Sequence, residues 1–439
     1  MNLTPKEIVK FLDDYVIGQK NAKKVIAIAL RNRYRRMQLS KELQDDITPK
    51  NILMIGSTGV GKTEIARRLS KMLGLPFVKV EASKYTEVGF VGRDVESMVR
   101  DLANAALSLV KREQREKNKD KIDEFIENKI LEKLLPPLPK GVSDEKQEEY
   151  KNSLAKMRTR LKNGDLDESM IEIEIAQSMF DTNPNLPPEM GAMQDIVKVI
   201  GVGSKKVKKE MKIQDAKNAL KSEASEKILD MESIKSEALR RAENEGIIFI
   251  DEIDKVAVAS GNSNRQDPSK EGVQRDLLPI VEGSSVQTKI GTLKTDYILF
   301  IAAGAFHLSK PSDLIPELQG RFPLRVELDS LDDEALYQIL TQPKNSLLKQ
   351  YKELLATEKL ELKFDDEAVR EIARIASVAN AEMQDIGARR LHTIIEKLLE
   401  DLSFEADSFA NKEFVVDKAM VEDKLKGIIE NKDLARYIL

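Results

Sequence analysis

One stretch of the sequence decides the fold: residues 51–63, which read NILMIGSTGVGKT. Its first half is a short, mainly apolar run of the kind that forms a buried strand in a parallel sheet. Its second half, Gly56 to Thr63, fits the pattern G-x-x-x-x-G-K-[ST], and a helix is predicted from Lys62 to about Leu73. A strand, a glycine-rich loop and a helix in this order predict the beginning of a doubly wound α/β sheet.

The glycine-rich loop predicts a site for a nucleoside triphosphate. Glycines let the backbone point successive N–H groups at phosphate oxygens, and the N-terminus of the following helix adds a favourable dipole. In this pattern Lys62 reaches the β- and γ-phosphates, and Thr63 offers its hydroxyl to Mg²⁺. An ordinary glycine-rich turn is the alternative. It is disfavoured because the full motif coincides with its strand and helix.

A second motif, residues 246–252 (GIIFIDE), is an apolar strand that ends in two carboxylates. Asp251 suits coordination of Mg²⁺ through water, and Glu252 can orient and polarise a water molecule for attack on the terminal phosphate. The pair therefore favours hydrolysis over transfer to a bound acceptor. A strand followed by a helix-capping aspartate is the alternative, and the phosphate loop makes it the weaker one.

Three further apolar runs, Phe77–Glu81, Tyr297–Ala302 and Leu324–Leu328, predict other core strands. The separation between the two motifs greatly exceeds the usual spacing of neighbouring strands, so an insertion is expected between them. The predicted parts are a large nucleotide-binding domain (1–105 plus 241–330), an inserted, mostly helical domain (106–240) and a small α+β domain (331–439).

The predicted insertion is dense in charge, notably at Lys111–Lys121 and Lys205–Glu210, and is interpreted as long charged helices. An alternation of isoleucine and glutamate at 171–175 indicates one two-faced strand. Asp181–Gly203, rich in Pro, Gly and Asn, is interpreted as a loop. Elsewhere, the basic end of the second helix, Arg31–Arg36, is interpreted as solvated charge that complements the helix dipole.

The composition excludes several chemistries. The 439 residues contain no Cys and two His, which removes thiol nucleophiles, disulfides and cysteine-based metal sites and leaves almost no material for a Ser-His-Asp relay. The net charge of −4 argues against a protein that coats nucleic acid. No run approaches the ~20 apolar residues of a membrane span. These features predict a soluble, cytoplasmic protein without peptidase activity of its own.

The residues also bear on two other classes of protein with a phosphate loop, the guanine-binding proteins and the nucleic-acid motors. Guanine-binding proteins with this loop generally carry Asn-Lys-x-Asp, which this sequence lacks, so adenine is favoured. A nucleic-acid motor would need a basic surface, and the best candidate is the group Lys205, Lys206, Lys208 and Lys209. Neighbouring acidic residues dilute that charge, and nucleic acid is therefore not expected as a partner.

Beyond the two nucleotide motifs, several segments carry a resemblance to a known family. They are Pro49–Gly56, Gly89–Gly92, Pro316–Arg321, Gly387–Arg390 and Ala435–Leu439. Over essentially its whole length the sequence resembles the HslU family, the AAA+ P-loop ATPases that serve as unfoldase subunits of HslUV-type proteases. The resemblance implies an AAA+ fold with a doubly wound parallel sheet.

The resemblance also implies roles for individual residues. Arg321 is similar to the arginine finger that reaches a neighbouring subunit's site, and Lys62 and Glu252 complete the implied catalytic set. Glu317, one turn before Arg321, belongs to the same inter-subunit contact, although a surface pair with Arg321 is its plainer interpretation. The implied ATP-binding positions are Ile17, Gly59, Val60, Gly61, Lys62, Thr63, Glu64, Asp251, Glu317 and Arg389, with Mg²⁺ at Thr63 and Asp251.

Two segments are implied to contact proteins. Gly89, Phe90, Val91 and Gly92 resemble the pore loop that grips unfolded polypeptide, with Phe90 where the family usually has Tyr; from the residues alone, a simple turn is favoured. The apolar end Tyr437, Ile438 and Leu439 resembles the segment that docks into an HslV-type peptidase ring. Burial in the chain's own core is its alternative.

The resemblance thus implies an ATP-driven protein unfoldase that works as a homohexamer with Mg²⁺ and an HslV-type peptidase. A ClpX-like unfoldase is the nearest alternative, but its cysteine zinc module is missing here. A nucleic-acid motor and a scaffold without catalytic activity are the more distant ones. Intact Lys62, Thr63, Asp251 and Glu252 argue against the scaffold.

Overall fold

The computed structural model describes residues 3–86, 92–139, 143–178, 204–257 and 268–430. The chain divides into two compact units, which are described separately. The first combines residues 1–109 with 236–439, and the second comprises residues 110–235.

The helices and strands of the first part of the chain follow the order helix, helix, helix, strand, helix, strand, helix. They are α1 (Pro5–Asp13), α2 (Lys20–Arg36), α3 (Lys41–Asp46), β1 (Ile52–Ile55), α4 (Lys62–Leu73), β2 (Phe77–Glu81) and α5 (Ser97–Lys117). The middle part contains α6 (Lys119–Leu134), α7 (Asp144–Asn163), β3 (Met170–Ser178), β4 (Ser204–Lys212), α8 (Ile213–Ile228) and α9 (Met231–Glu245).

The chain then returns to strands of the first unit. They and their helices are β5 (Ile247–Asp251), α10 (Pro268–Glu282), β6 (Ser285–Thr288), β7 (Gly291–Lys294), β8 (Leu299–Gly304), α11 (Pro316–Arg321) and β9 (Leu324–Glu327). The C-terminal part contains α12 (Asp333–Thr341), α13 (Leu347–Ala356), β10 (Glu361–Phe364), α14 (Asp366–Glu382), α15 (Arg389–Phe404), β11 (Glu413–Val416) and α16 (Lys418–Glu430).

A five-stranded sheet organises the first unit. Its order is β2-β5-β8-β1-β9, and every neighbouring pair is parallel. Alternate residues of each strand, such as Ile52 and Met54 of β1, join a core with α1, α2 and α4, while the intervening Leu53 is buried as well. Burial on both faces is what a parallel sheet covered by helices requires. The predicted α/β fold with a parallel core sheet is thereby confirmed.

All five strands point the same way, so their carboxyl ends lie along one edge of the sheet. Register places Ile55 of β1 beside Gly304 of β8, and Glu81 of β2 beside Asp251 of β5. The glycine-rich loop leaves β1 at this edge, and ligands of open α/β sheets bind outside the carboxyl ends of strands. The fold thus brings the two sequence motifs to one place.

The basic end of α2 differs from its sequence interpretation, which was wrong for two of its arginines. Arg33 is buried and donates hydrogen bonds to the backbone carbonyls of Asn244 (2.7 Å), Glu245 (3.2 Å) and Tyr297 (2.9 Å). Its burial lowers the pKa of Arg33 to about 9. Arg36 is buried too and stacks 3.5 Å from the centre of the Tyr297 ring. Arg33 thus satisfies carbonyls at the end of α9 and at Tyr297, more than 200 positions away in the sequence, which helix periodicity does not reveal.

The second unit packs α6, α7 and α8 with one face of the antiparallel ribbon β3–β4. Strand β3 confirms the predicted two-faced strand, since Ile171 and Ile173 enter the core. The helical interpretation of Lys205–Glu210 was wrong, because this segment belongs to β4. Cross-strand charge explains the pairing in part: Lys208 forms a 3.0 Å ion pair with Glu172 of β3. Asp181–Gly203 lies outside the described residues.

The C-terminal part of the first unit has its own hydrophobic core, built from α12 to α16. Strands β10 and β11 pair in parallel at 361–364 and 413–416. Among the helices in the described ranges, none is both long and apolar enough to cross a lipid bilayer. The three-domain division made from the sequence stays a prediction.

Candidate nucleotide-binding site

A cavity of about 1030 Å³ lies at the carboxyl edge of the sheet, between the glycine-rich loop and the start of α15. Many sequence-predicted site residues line it. They are Ile17, Gly59, Val60, Gly61, Lys62, Thr63, Glu64, Asp251, Glu252 and Arg389. Residues from four separate parts of the chain therefore meet around one space large enough for a nucleotide.

The glycine-rich loop forms one wall of the cavity and leads into α4. Gly59 and Gly61 have φ of 79° and 102°, where a side chain would be strained, so the loop can curl tightly only with glycine there. Lys62 at the first position of α4 turns its ammonium group back over the loop and donates to the carbonyls of Gly56 and Ser57, the latter at 2.8 Å. Burial lowers the pKa of Lys62, and the negative charge of Asp251 opposes that shift.

Thr63 and Asp251 meet at the base of the cavity. The Thr63 hydroxyl donates to Oδ2 of Asp251 at 3.2 Å, although the two residues are 188 positions apart. The same carboxylate oxygen lies 2.8 Å from Nζ of Lys79, which projects from β2. A hydroxyl and a carboxylate side by side are oxygen donors of the kind Mg²⁺ prefers. The donor set therefore fits the predicted metal.

Glu252 follows Asp251 with a left-handed backbone, at φ 56° and ψ 36°. Such a conformation is uncommon for a residue with a side chain. It ends β5 abruptly and leaves the exposed carboxylate on the cavity wall, where Oε2 accepts a 3.1 Å hydrogen bond from the hydroxyl of Ser83. Among the described residues, the Ser83 hydroxyl thus orients the Glu252 carboxylate at the edge of the cavity.

The segment before α15 contacts the glycine-rich loop directly. The Ala388 N–H donates to the carbonyl of Gly59 at 3.3 Å. A Cβ atom on Gly59 would lie 2.1 Å from the carbonyl oxygen of Ile386. The C-terminal part of the chain therefore closes one side of the cavity, and it brings Arg389 there.

Two adjacent arginines at the start of α15 have different surroundings. Arg389 lines the cavity. Arg390 is buried behind it and donates to Oδ1 of Asn380 at 2.8 Å and to the carbonyl of Gln384 at 2.6 Å. Burial lowers the pKa of Arg390. Arg390 therefore supports the turn from which Arg389 projects.

Replacing Gly387 with alanine is expected to weaken ATP binding by about tenfold or more. Gly387 has φ of 57°, and a Cβ there would lie 2.6 Å from the carbonyl oxygen of Thr58 in the glycine-rich loop. Gly74 is the matched control, because it has φ of 59° and open space around its Cβ position. Alanine costs about 1–2 kcal/mol of backbone strain at either site. Fluorescence titration with labelled ATP measures the difference, and equal affinity of the two variants would contradict the steric argument.

Glu317 and Arg321 lie on α11 and do not line this cavity. Arg321 is half-exposed and forms a 2.7 Å ion pair with Glu282 at the end of α10. The surface pair between Glu317 and Arg321, the plainer interpretation of Glu317, is absent from the described structure. The Asn51 side chain donates to the carbonyl of Arg321 at 3.1 Å and so ties the end of α11 to the sheet.

The implied protein-contact segments are only partly described. Gly89, Phe90 and Val91 lie outside the described residues, as do Tyr437–Leu439. Gly92 is exposed. Next to it, Arg93 pairs with Tyr85 in a parallel bridge, so the two ends of the loop lie side by side.

Comparisons with known proteins decide the family. A model of the ATPase family associated with various cellular activities matches residues 52–199, and one of an AAA domain (Cdc48 subfamily) matches 164–325. A model of the C-terminal, D2-small domain of ClpB protein matches 331–413. A Campylobacter jejuni protein named ATP-dependent protease ATPase subunit HslU is 89% identical over 439 residues, all of both chains.

A Helicobacter pylori protein of the same name is 61% identical over 440 residues, covering 100% of this chain and 99% of the relative. The chain belongs to the HslU family of AAA+ ATPases. The resemblance inferred from the sequence is confirmed, and with it nucleotide binding and ATPase activity. The ClpX-like alternative is not favoured, since full-length identity of this order is to HslU proteins.

Sequence reasoning missed several residues of this HslU-family site. Lys79 contacts Asp251, and the available signal was a lysine in the middle of a predicted core strand. The two histidines of the chain, His307 and His392, both line the cavity. His392 lies three positions after Arg389, which places it on the same face of α15. A composition count could not show that the two histidines share one space.

Proposed function

We propose that the chain is the ATP-hydrolysing unfoldase subunit of an HslUV-type protease in the cytoplasm. The observation that carries this proposal is the single cavity lined by Lys62, Thr63, Asp251, Glu252 and Arg389. These residues supply what phosphoryl transfer to water needs: positive charge for the phosphates, oxygen donors for a metal and a carboxylate for the water. Relatives that carry the name of an ATP-dependent protease subunit support the role in proteolysis.

The proposed reaction is attack of water on the γ-phosphorus of ATP. Glu252 orients the water and accepts its proton as the new P–O bond forms. The bond from the γ-phosphorus to the bridging oxygen breaks, which yields ADP and inorganic phosphate. Lys62 and Arg389 hold the phosphate oxygens, and the backbone of Gly59–Glu64 surrounds them. Mg²⁺, held by Thr63 and Asp251, would neutralise phosphate charge when bound.

Ile17 is proposed to contact adenine, because it lines the same cavity as the phosphate loop and offers an apolar side chain there. Arg321 and Glu317 are proposed to act on the site of a neighbouring copy in a homohexamer. Their position outside the chain's own cavity supports this, since an exposed arginine on a short helix is available to a second subunit.

The proposed mechanical part rests on the domain plan. Residues 1–105 with 241–330 would form the large ATPase domain, 106–240 the intermediate domain and 331–439 the small domain. The loop Gly89–Gly92 is proposed to grip unfolded protein substrates. The flanking residues Tyr85 and Arg93 form a parallel bridge, which supports this proposal because it fixes the two points where the segment leaves and rejoins the described structure.

Deleting Tyr437–Leu439 is expected to abolish stimulation of an HslV-type peptidase while ATP hydrolysis is kept. These apolar side chains are proposed to dock on the peptidase, and they are remote in sequence from every residue of the cavity. Phosphate release and cleavage of a fluorogenic peptide measure the two activities in the same sample. Undiminished stimulation would refute docking, whereas a full-length chain that releases no phosphate from ATP and Mg²⁺ would refute the ATPase site.

A further inference from the structure

Gln19, at the start of α2, makes an unusual pair of contacts. It is only 3% exposed, and its backbone is left-handed at φ 53°. Its side-chain NH₂ donates to the carbonyl of Asp329 at 2.9 Å, and its side-chain oxygen accepts from the Asp329 N–H at 2.9 Å. An amide side chain can donate and accept at once, as this backbone demands, whereas a carboxylate only accepts.

Gln19 and Asp329, which form this contact, lie next to the nucleotide cavity and in the connection to the C-terminal core, respectively. Gln19 follows the cavity-lining segment Tyr15–Ile17 by two positions. Asp329 lies in the connection between β9 and α12, where the chain passes from the sheet to the C-terminal core. Leu331, two positions after Asp329, lines the same cavity and packs against both hydrophobic cores. The glutamine therefore joins the cavity wall to the connection between the two cores.

A second contact holds the other end of the same segment. The backbone N–H of Lys344 donates to the carbonyl of Asp14 at 3.0 Å, and the Lys344 ammonium forms a 2.7 Å ion pair with the Asp14 carboxylate. Lys344 lies between α12 and α13 in the C-terminal part. The cavity-lining residues Tyr15–Ile17 are thus fixed on one side to the C-terminal part and on the other to the connection that leads into it.

We infer that Gln19 is a positioning residue, which couples occupancy of the nucleotide cavity to the connection at Asp329 and hence to the C-terminal part. The inference rests on the proposed binding of ATP in this cavity. Nucleotide that packs against Tyr15–Ile17 presses on a segment whose two ends are bonded to the C-terminal part and its connection. When nucleotide orders Tyr15–Ile17, the two hydrogen bonds of Gln19 and the contacts of Asp14 with Lys344 also order the connection at Asp329 and the C-terminal part.

The test is hydrogen–deuterium exchange on the full-length chain with saturating ATP and Mg²⁺. In the natural protein, ATP is expected to protect the phosphate loop (56–65) and the connection (329–346). Gln19→Glu replaces the donor by an oxygen facing the Asp329 carbonyl. It is expected to keep protection at 56–65 and to lose it at 329–346. Protection at both segments, or loss at both, would overturn the coupling.

Steady-state kinetics of ATP hydrolysis distinguish a positioning role of Gln19 from general damage to the fold. Gln19→Glu is expected to raise KM for ATP about tenfold, with kcat within about twofold of the natural value, because Gln19 contacts no reacting atom. With kcat normalised to the folded fraction of the sample, an unchanged KM would overturn the inference. The control is Gln350→Glu, an exposed glutamine whose NH₂ donates to the nearby Asn345 carbonyl in the described structure. It is expected to leave both constants unchanged.

Lys344→Glu keeps the inference testable if Gln19→Glu does not fold. Lys344 is exposed, so its replacement is tolerated, and the new carboxylate faces that of Asp14. Protection at 329–346 by ATP is expected to decrease in this variant, and unchanged protection would overturn the coupling. If ATP does not protect residues 56–65 even in the natural protein, the proposed nucleotide site itself is wrong. That result differs from failure of the coupling, in which 56–65 is still protected.

Discussion

Replacing Arg321 with alanine is expected to reduce ATP hydrolysis by the assembled protein ~10³–10⁵-fold, the range seen when an arginine finger is removed. The residue is half-exposed, lies outside its own chain's cavity and is paired with Glu282. An arginine so placed is available to stabilise transition-state charge in the proposed neighbouring subunit. Binding of labelled ATP is expected to persist, because the cavity of each chain keeps Lys62 and Arg389. Steady-state phosphate release measures the loss.

Mixing variants distinguishes action between subunits from action within one. Arg321→Ala keeps an intact cavity, whereas Lys62→Ala keeps an intact finger, and each alone is expected to be inactive. In a mixed ring, a cavity from the first variant can meet a finger from the second, so phosphate release should reappear. Arg35→Ala is the control for charge removal, since Arg35 is exposed and, within the described residues, its side chain donates to Asn32. A mixture that stays inactive, although mixed rings form, would contradict the proposed role.

Replacing Glu252 with glutamine is expected to lower kcat for ATP hydrolysis by ~10²–10⁴-fold, the usual contribution of a positioned general base. Glutamine keeps the size of the side chain and can still accept from Ser83, so the cavity should keep its shape. It cannot take a proton from the attacking water. Affinity for ATP is therefore expected to stay close to the natural value, and single-turnover phosphate release combined with nucleotide titration measures the two effects.

The control for Glu252 is Glu358→Gln, which removes an exposed carboxylate remote in sequence from the nucleotide motifs. It is expected to hydrolyse ATP at the natural rate. Normal turnover by Glu252→Gln would exclude the water-activating role. Ser83→Ala offers a graded comparison: it removes the hydrogen bond that the Ser83 hydroxyl donates to the Glu252 carboxylate and is expected to reduce kcat by only a few fold, about the effect of one hydrogen bond.

Local sequence patterns predicted the elements that carry the site. Helix α4 and strand β2 occur at the predicted residues, Lys62–Leu73 and Phe77–Glu81. The last two core strands were predicted within one or two residues of Leu299–Gly304 and Leu324–Glu327. These elements are continuous in sequence, and their apolar runs and glycine signals act over a few residues, so periodicity alone is sufficient to locate them.

Other features depend on partners that no local pattern contains. The segment 205–210 has the charge density of a solvated helix, yet it forms a strand because β3 offers it acidic partners and a place beside the core. Arg33 has the sequence context of a surface arginine, yet it is buried because two carbonyls at the end of α9 and the carbonyl of Tyr297 accept its hydrogen bonds. Lys79 interrupts an otherwise apolar strand for no reason that the sequence shows, and the structure explains it by the ion pair between its ammonium group and Asp251.

The amino-acid order alone determined the phosphate loop and the strand that ends in two carboxylates, because each is a contiguous motif whose chemistry needs particular residues at short spacing. Together with other short motifs they also determined the family. Only the tertiary structure decided that Asp251 meets Thr63, that the Gly387 segment closes on Gly59, and that Gln19 bonds to Asp329. Such contacts join residues far apart in the chain, and packing of the whole sheet and its helices selects them.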